Sequence, residues 1–172
     1  LVAGGGTGDA STFLALELQH TNAEIVYLDF SHTSLEIARK RAEVRGLKNI
    51  RWICGDLLDL DQLNLGEFDY IDCVGVLHHL ASPLEGLKQL KGVLKESGGM
   101  NLMLYGKYGR SGVYLIQELL RNILGKSNSR KEEIQSARAI LKQLPKDHPF
   151  FRSSLSLLTD LETDEGFYDV CL

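Results

Sequence analysis

Val2-Ala3-Gly4-Gly5-Gly6-Thr7-Gly8-Asp9 decides how this chain is read. Apolar residues run straight into a cluster of glycines, and a helical pattern begins directly afterwards. A strand that breaks into such a turn lets backbone approach a ligand closely, because glycine carries no side chain and accepts backbone angles closed to other residues. The rest of the sequence is therefore read for that ligand.

Working outward, strand-like and helix-like patterns alternate. Leu1–Ala3 ends a first strand, and Ser11–His20 follows as a helix whose Phe13, Leu14, Leu16 and Leu18 suit burial. Glu24–Asp29 is a short strand of β-formers. Ser34–Arg45 has Leu35, Ala38 and Ala42 at helical spacing, with Gly46 placed to cap its C-terminus. Ile50–Cys54 is a third strand, Asp59–Leu65 a short helix or turn, and Phe68–Val74 a fourth strand. Pro83–Lys95 is a helix with Pro83 in its first turn. Ser97-Gly98-Gly99 is expected to turn, and Met100–Tyr105 to form a fifth strand. This order predicts an α/β fold: a Rossmann-like three-layer αβα sandwich with a mainly parallel sheet. Beyond Gly106 the pattern becomes helical, with Val113–Leu124 and Lys131–Leu144 separated by a turn at Gly125–Ser129. Pro145–Pro149 is a breaker cluster, and a short helix is expected near Leu155–Leu161.

Two ligand classes use such a glycine turn. A dinucleotide needs G-x-G-x-x-G so that pyrophosphate can sit on the helix N-terminus. Counting from Gly4, that pattern puts Asp9 where the third glycine should stand, and a carboxylate there repels pyrophosphate. Asp9 does suit the positive end of the helix dipole. The second strand ends in Asp29, twenty-one residues after Gly8. An acid there can accept from both hydroxyls of a ribose. The third strand runs into Cys54-Gly55-Asp56-Leu57, where an acid can accept from an exocyclic amine and a neighbouring N–H can reach a ring nitrogen. The plainer alternative makes Asp29 a turn cap with Ser31 and Asp56 a cap of the short helix after it.

The stretches VAGGGTGD, IVYLDFS, CGDLLDL and FDYIDCVGVLHHLASP, in that order, resemble the class I S-adenosylmethionine-dependent methyltransferases from Leu1 to about Gly106. The resemblance implies S-adenosylmethionine as cofactor. Gly4, Gly6 and Gly8 would pass its methionine part, Asp29 would hold the ribose with Phe30 beside the adenine, and Asp56 and Leu57 would read the adenine edge. Gly75 and Val76 would flank the methionine and the transferred methyl. Many members carry an acid where this chain has Val2, which removes one polar contact near the cofactor amine. LYGKYGRSGVY and LPKDHPF further resemble bacterial methyltransferases, some fused to tetratricopeptide repeats. That likeness implies that the last antiparallel strand pair of the fold is missing here, which would leave the edge beside strand five open. A fused repeat domain outside this segment is the corresponding expectation.

Methyl transfer asks the protein chiefly to position a nucleophile and to take its proton. His78 and His79 follow the fourth strand and are the candidate bases, with packing or capping of the Pro83 helix as the bland alternative. Tyr105 and Tyr108 are candidate substrate-wall residues. Lys107 and Arg110 read as solvated loop charge, and Trp52 as core. No Asn-Pro-Pro-Tyr-like motif follows strand four, and the net charge is −4 with no basic run. The expectation is therefore against nucleic acid as substrate and for a small molecule or protein side chain.

Cys54, Cys73 and Cys171 are odd in number and far apart, so no metal-ligand or redox spacing forms, and reduced thiols of a cytoplasmic protein are expected. No apolar run approaches the roughly 18 residues of a membrane helix. The chain starts inside its first strand with no signal peptide before it, which reads as a segment of a longer protein. The expected organisation is a cofactor-binding core over 1–106 and a helical, substrate-side segment of the same domain over 107–172. Two alternatives stay open: a non-catalytic adenosyl-cofactor-binding module of the same fold, and an NAD-dependent oxidoreductase, which Asp9 disfavours.

Overall fold

In the computed structural model of the chain, residues 1–124, 129–152 and 161–172 are described. The chain divides into two compact units, Leu1–Leu104 and Tyr105–Leu172. The first unit alternates β1 (Val2–Ala3), α1 (Asp9–Glu17), β2 (Ile25–Asp29), α2 (His32–Val44), β3 (Ile50–Cys54), β4 (Phe68–Val74), α3 (Pro83–Gly92) and β5 (Leu94–Met103). Single 3-10 turns lie at Leu57–Asp59 and Leu77–His79.

The strands form one parallel sheet in the order β3-β2-β1-β4-β5. Val2 lies opposite Tyr27 on one side and Asp72 on the other, so the shortest strand is the central one. β2 buries all five of its residues, as expected of a strand covered on both faces. On one face Val26, Leu28, Ile71 and Cys73 pack with Leu77 and Leu90. On the other, Val2 and Ile25 pack on Ala15, and Tyr27 packs on Leu35 and Ala38.

Helix starts follow side-chain chemistry. Ser31 Oγ accepts from the Ser34 amide and Ser82 Oγ from that of Glu85, with Pro83 opening α3. Gly46, at φ +68°, follows the end of α2 and serves as its C-terminal stop.

Three expectations are corrected. α1 buries its bulky residues only in part: Phe13 is 61% and Leu16 43% exposed, Leu14 and Leu18 are half-buried against Val2, Ala15 and Ile25, and the fully buried positions are Ser11, Thr12 and Ala15. The turn at Ser97-Gly98-Gly99 is not a turn between elements, because α3 ends at Gly92 and β5 already runs from Leu94. Phe68 pairs with Leu94 but Tyr70 with Gly99, so the extra residues form a bulge inside the strand. A side chain on Gly98 would crowd the carbonyl oxygens of Asp69 and Lys95 at 3.0 Å, and Lys95 Nζ donates to Asp69 Oδ1 at 2.7 Å across the bulge. The helical turn expected over Asp59–Leu65 begins earlier, at Leu57, because Asp56 caps it.

The second unit contains α4 (Ser111–Leu124), α5 (Arg130–Leu141), α6 (Pro149–Arg152) and α7 (Asp164–Cys171). Val113, Ile116, Leu120, Ile134, Phe150 and Phe167 form its core. Gly112 lets α4 meet the backbone of α6, where a Cβ would stand 2.6 Å from the Phe150 nitrogen. α7 was not expected; Thr163 Oγ1 accepts from the Gly166 amide at 3.0 Å, and Asp164 and Glu165 fill its first turn. Apart from Ser129 and Leu161, the expected turn at Gly125–Ser129 and the expected helix near Leu155–Leu161 lie outside the described residues. No helix among the described residues is long and apolar enough to cross a membrane.

The three cysteines are free, with Cys54 exposed and the other two buried. Burial pushes the Cys73 thiol up to about 11 and the Cys171 thiol up to about 12. Near pH 8 a thiol reagent is therefore expected to modify Cys54 quickly and the other two only in denaturant; one common rate for all three would contradict their burial. The raised folded values carry a sign. The unfolded chain ionises these thiols from its ordinary value near 9, the folded chain only near 11 to 12. Their contribution to stability is complete below about 9 and is lost as pH rises through the folded values.

Candidate functional site

The strand order reverses beside β1: β2 and β3 extend to one side, and β4 returns on the other. In open α/β sheets, ligands bind at the C-terminal strand ends beside such a switch point. The glycine turn after β1 and Gly75-Val76 after β4 both lie there.

The amides of Gly4 and Gly5 both donate to the Leu28 carbonyl, at 2.8 and 3.0 Å. Gly4 has φ +72°, and a side chain on it would run into Val76; one on Gly5 would run into the Tyr27 ring. Gly8, at φ +93°, sits where a Cβ would stand 2.7 Å from the Ala38 Cβ. Gly6 differs: its φ is +51°, and nothing lies within 4 Å of where its side chain would be. Three glycines are thus required by packing, and Gly6 alone faces open space.

Asp29 is 8% exposed, at the C-terminal end of β2. Its Oδ2 accepts from the Gly6 amide and its Oδ1 from the Ser31 amide, each at 2.8 Å. Its backbone carbonyl accepts from the Gly55 amide at 3.0 Å. The structure thereby brings the glycine turn, the end of β2 and the start of the segment after β3 together. A carboxylate has about four acceptor positions, so the two amides leave room for further donors. The turn-cap alternative for Asp29 holds as well, since Ser31 is one of its partners. Phe30 is 81% exposed next to it.

Asp56 caps the 3-10 turn, with Oδ1 accepting from the Leu58 amide at 2.9 Å. The Leu57 side chain belongs to the core at 6% exposure, which leaves only its backbone open to contact a ligand. Gly75 has φ +77° and donates to the Met103 carbonyl at 3.2 Å. His78 is half-buried and His79 exposed, with ring centroids 4.3 Å apart. Ser82, not a histidine, caps the Pro83 helix. Tyr105 and Tyr108 belong to the second unit. Tyr108 is almost fully exposed, and the Arg110 guanidinium lies 3.4 Å over the Tyr105 ring, so Arg110 is more than solvated loop charge.

Sequence reading missed two residues at the turn. Tyr27 donates its hydroxyl to the Gly6 carbonyl at 2.6 Å. The available signal was a phenol inside an otherwise aliphatic, buried strand, since a buried hydroxyl needs a partner. Arg41 donates to the Thr7 carbonyl at 2.8 Å and forms an ion pair with Asp9. Nothing marked it out among the basic residues of Arg39-Lys40-Arg41. The pairing also weakens the argument that Asp9 repels a diphosphate, because a guanidinium already meets its charge.

A family model described as a methyltransferase domain matches residues 1–100. The chain belongs to this methyltransferase family. It is 36% identical over 149 residues to an uncharacterised protein of Synechococcus sp., covering 84% of this chain and 34% of that protein. Among solved structures, PKMT2 from Rickettsia typhi in complex with AdoHcy matches with a TM-score of 0.67 at 22% identity, covering 92% of this chain and 32% of that one. The N-terminal domain of EvdMO1 with SAH bound matches with a TM-score of 0.52 at 29% identity, covering 59% and 40%. The chain thus spans about a third of the Synechococcus relative and of PKMT2. The five-stranded parallel sheet with flanking helices is the Rossmann-like fold expected of the family.

Proposed function

We propose that this chain binds S-adenosylmethionine at the glycine turn and belongs to a methyltransferase acting on a small molecule or a protein side chain. One observation carries the reading: open space over Gly6 adjoins a nearly buried carboxylate, Asp29, whose orientation two amides fix. Family membership and the EvdMO1 domain solved with SAH support it. The donor set fits an adenosyl ligand. Asp29 would accept from ribose hydroxyls, exposed Phe30 would cover an adenine face, and Gly6 would let backbone approach the methionine part. Asp56 and the Leu57 backbone would meet the adenine edge, and Gly75-Val76 would border the methionine side with Gly4. When bound, the cofactor supplies an electrophilic methyl on a sulfonium, which an acceptor lone pair takes to leave S-adenosylhomocysteine.

The protein's share is orientation and proton removal. His78 and His79 follow β4 at the same end of the sheet and are the proposed bases. Tyr105, Tyr108 and the helical segment 107–172 are the proposed substrate side. The absence of a basic run and of an Asn-Pro-Pro-Tyr-like motif favours a small molecule or protein side chain over nucleic acid as acceptor.

Titration calorimetry with S-adenosylmethionine, S-adenosylhomocysteine and NAD tests the reading. Binding of the two sulfur compounds with no heat from NAD is the expected result. Binding of NAD alone would replace the reading with the oxidoreductase one.

A further inference from the structure

We infer that Tyr27 is a positioning residue for this site, holding the Gly6 peptide and, through it, the Asp29 carboxylate in the form that receives the cofactor. The inference rests on the cofactor reading above and extends it to a residue that reading does not use.

Tyr27 is fully buried in the middle of β2, among Ile25, Val26 and Leu28. An aliphatic residue would fill that place without bringing a hydroxyl into the core. The phenol instead donates to the Gly6 carbonyl at 2.6 Å. Asp29, two residues on along the same strand, accepts from the Gly6 amide at 2.8 Å. The amide and carbonyl of one residue are therefore both gripped by one strand, at the one glycine of the Gly4–Gly8 turn that faces open space. Gly5 is the counterpart of this arrangement: any side chain there would occupy the place of the Tyr27 ring. Trp52 braces the ring from β3, with centroids 5.0 Å apart. Burial, with Asp29 and Cys54 nearby, raises the phenol well above the ordinary tyrosine value, so the group stays a donor throughout the neutral range.

The arrangement links two properties. Without the hydroxyl, Gly6 keeps only its bond to Asp29, and its carbonyl can rotate towards solvent. A Gly6 that moves takes one of the two amides fixing Asp29 with it. Preorganisation of a carboxylate before a ligand arrives is what lowers the cost of binding.

The test compares Tyr27→Phe with wild type, and Trp52→Phe as a control that loosens the same packing without touching the hydroxyl. S-adenosylhomocysteine affinity is read by calorimetry, the Gly6 amide by hydrogen exchange, and stability by thermal melting. Tyr27→Phe is expected to weaken S-adenosylhomocysteine binding roughly five- to twentyfold and to speed Gly6 exchange, while Trp52→Phe lowers the melting temperature and leaves affinity near wild type. Wild-type affinity in Tyr27→Phe, or equal losses in both variants, would overturn the inference and leave Tyr27 a packing residue. If Tyr27→Phe fails to fold, exchange of the Tyr27 hydroxyl proton and the Gly6 amide in ligand-free wild type takes its place: slow exchange of both supports the latch, and rapid exchange of the hydroxyl refutes it. If wild type binds no adenosyl compound, the functional reading falls by itself. Gly6 exchange in the ligand-free variant then decides, with faster exchange supporting the latch and unchanged exchange refuting it.

Discussion

Asp29→Ala is expected to weaken S-adenosylhomocysteine binding by about 2 kcal/mol, close to thirtyfold, because a charged acceptor is lost. The effect has two sources. On the proposed role, the ribose hydroxyls would lose their acceptor, and the amides of Gly6 and Ser31 lose the carboxylate that holds them. Asp29→Asn separates these. Its amide keeps one oxygen but turns an NH2 towards one of two backbone donors, so one N–H stays unmet. An intermediate loss of affinity is expected, with part of the loss of stability retained. Calorimetry on the three proteins, beside thermal melts, reads both quantities. Unchanged affinity in Asp29→Ala would remove Asp29 from the site.

Gly8→Ala is expected to cost roughly 3 kcal/mol of stability, and the reason lies in packing rather than in the ligand. At φ +93° any other residue is strained, and the new Cβ would lie 2.7 Å from the Ala38 Cβ and 3.0 Å from its Cα. A helix backbone cannot yield as a side-chain tip can. Gly6→Ala is the instructive contrast. Its φ of +51° also disfavours alanine, but no protein atom stands in the way. A smaller loss of stability, about 1 kcal/mol from backbone strain alone, with a larger loss of cofactor affinity is therefore expected. Chemical denaturation and calorimetry of the two variants check the split. Equal behaviour would show that the glycines share one role.

The contrast also marks where sequence reading reached its limit. The glycine cluster announced a close approach but not what approaches. Val76, the Tyr27 ring and Ala38 come from distant parts of the chain, and only the folded arrangement assigns one to each glycine. The alternation of strands and helices, and with it parallel pairing, was legible because the strand runs are bounded by breakers; the order of strands in the sheet was not. Ser97-Gly98-Gly99 misled because the same residues suit a turn and a bulge, and the choice depends on Asp69 and Lys95 across the strand pair. α1 misled in part, because Phe13 and Leu16 are exposed while Ser11, Thr12 and Ala15 are the residues fully buried, and only Leu14 and Leu18 join the core as expected. The place of Asp29 at the end of β2 was legible, and the structure sets it against the glycine turn. The hydroxyl partner of Gly6 was not, since tyrosine is also an ordinary strand former.

The central place of β1 has a consequence in time. Val2 pairs with Tyr27, 25 residues on, and with Asp72, 70 residues on. Closing the longer of these spans costs chain entropy before its contacts can repay it. The turn of glycines leaves the ribosome ahead of both partners; its hydrogen bonds wait for β2, and the packing of Val76 on Gly4 waits for β4. Competence to bind the cofactor is therefore expected to arise late in folding, so that a ligand signal followed during refolding reports completion of the sheet rather than formation of its first strand pair.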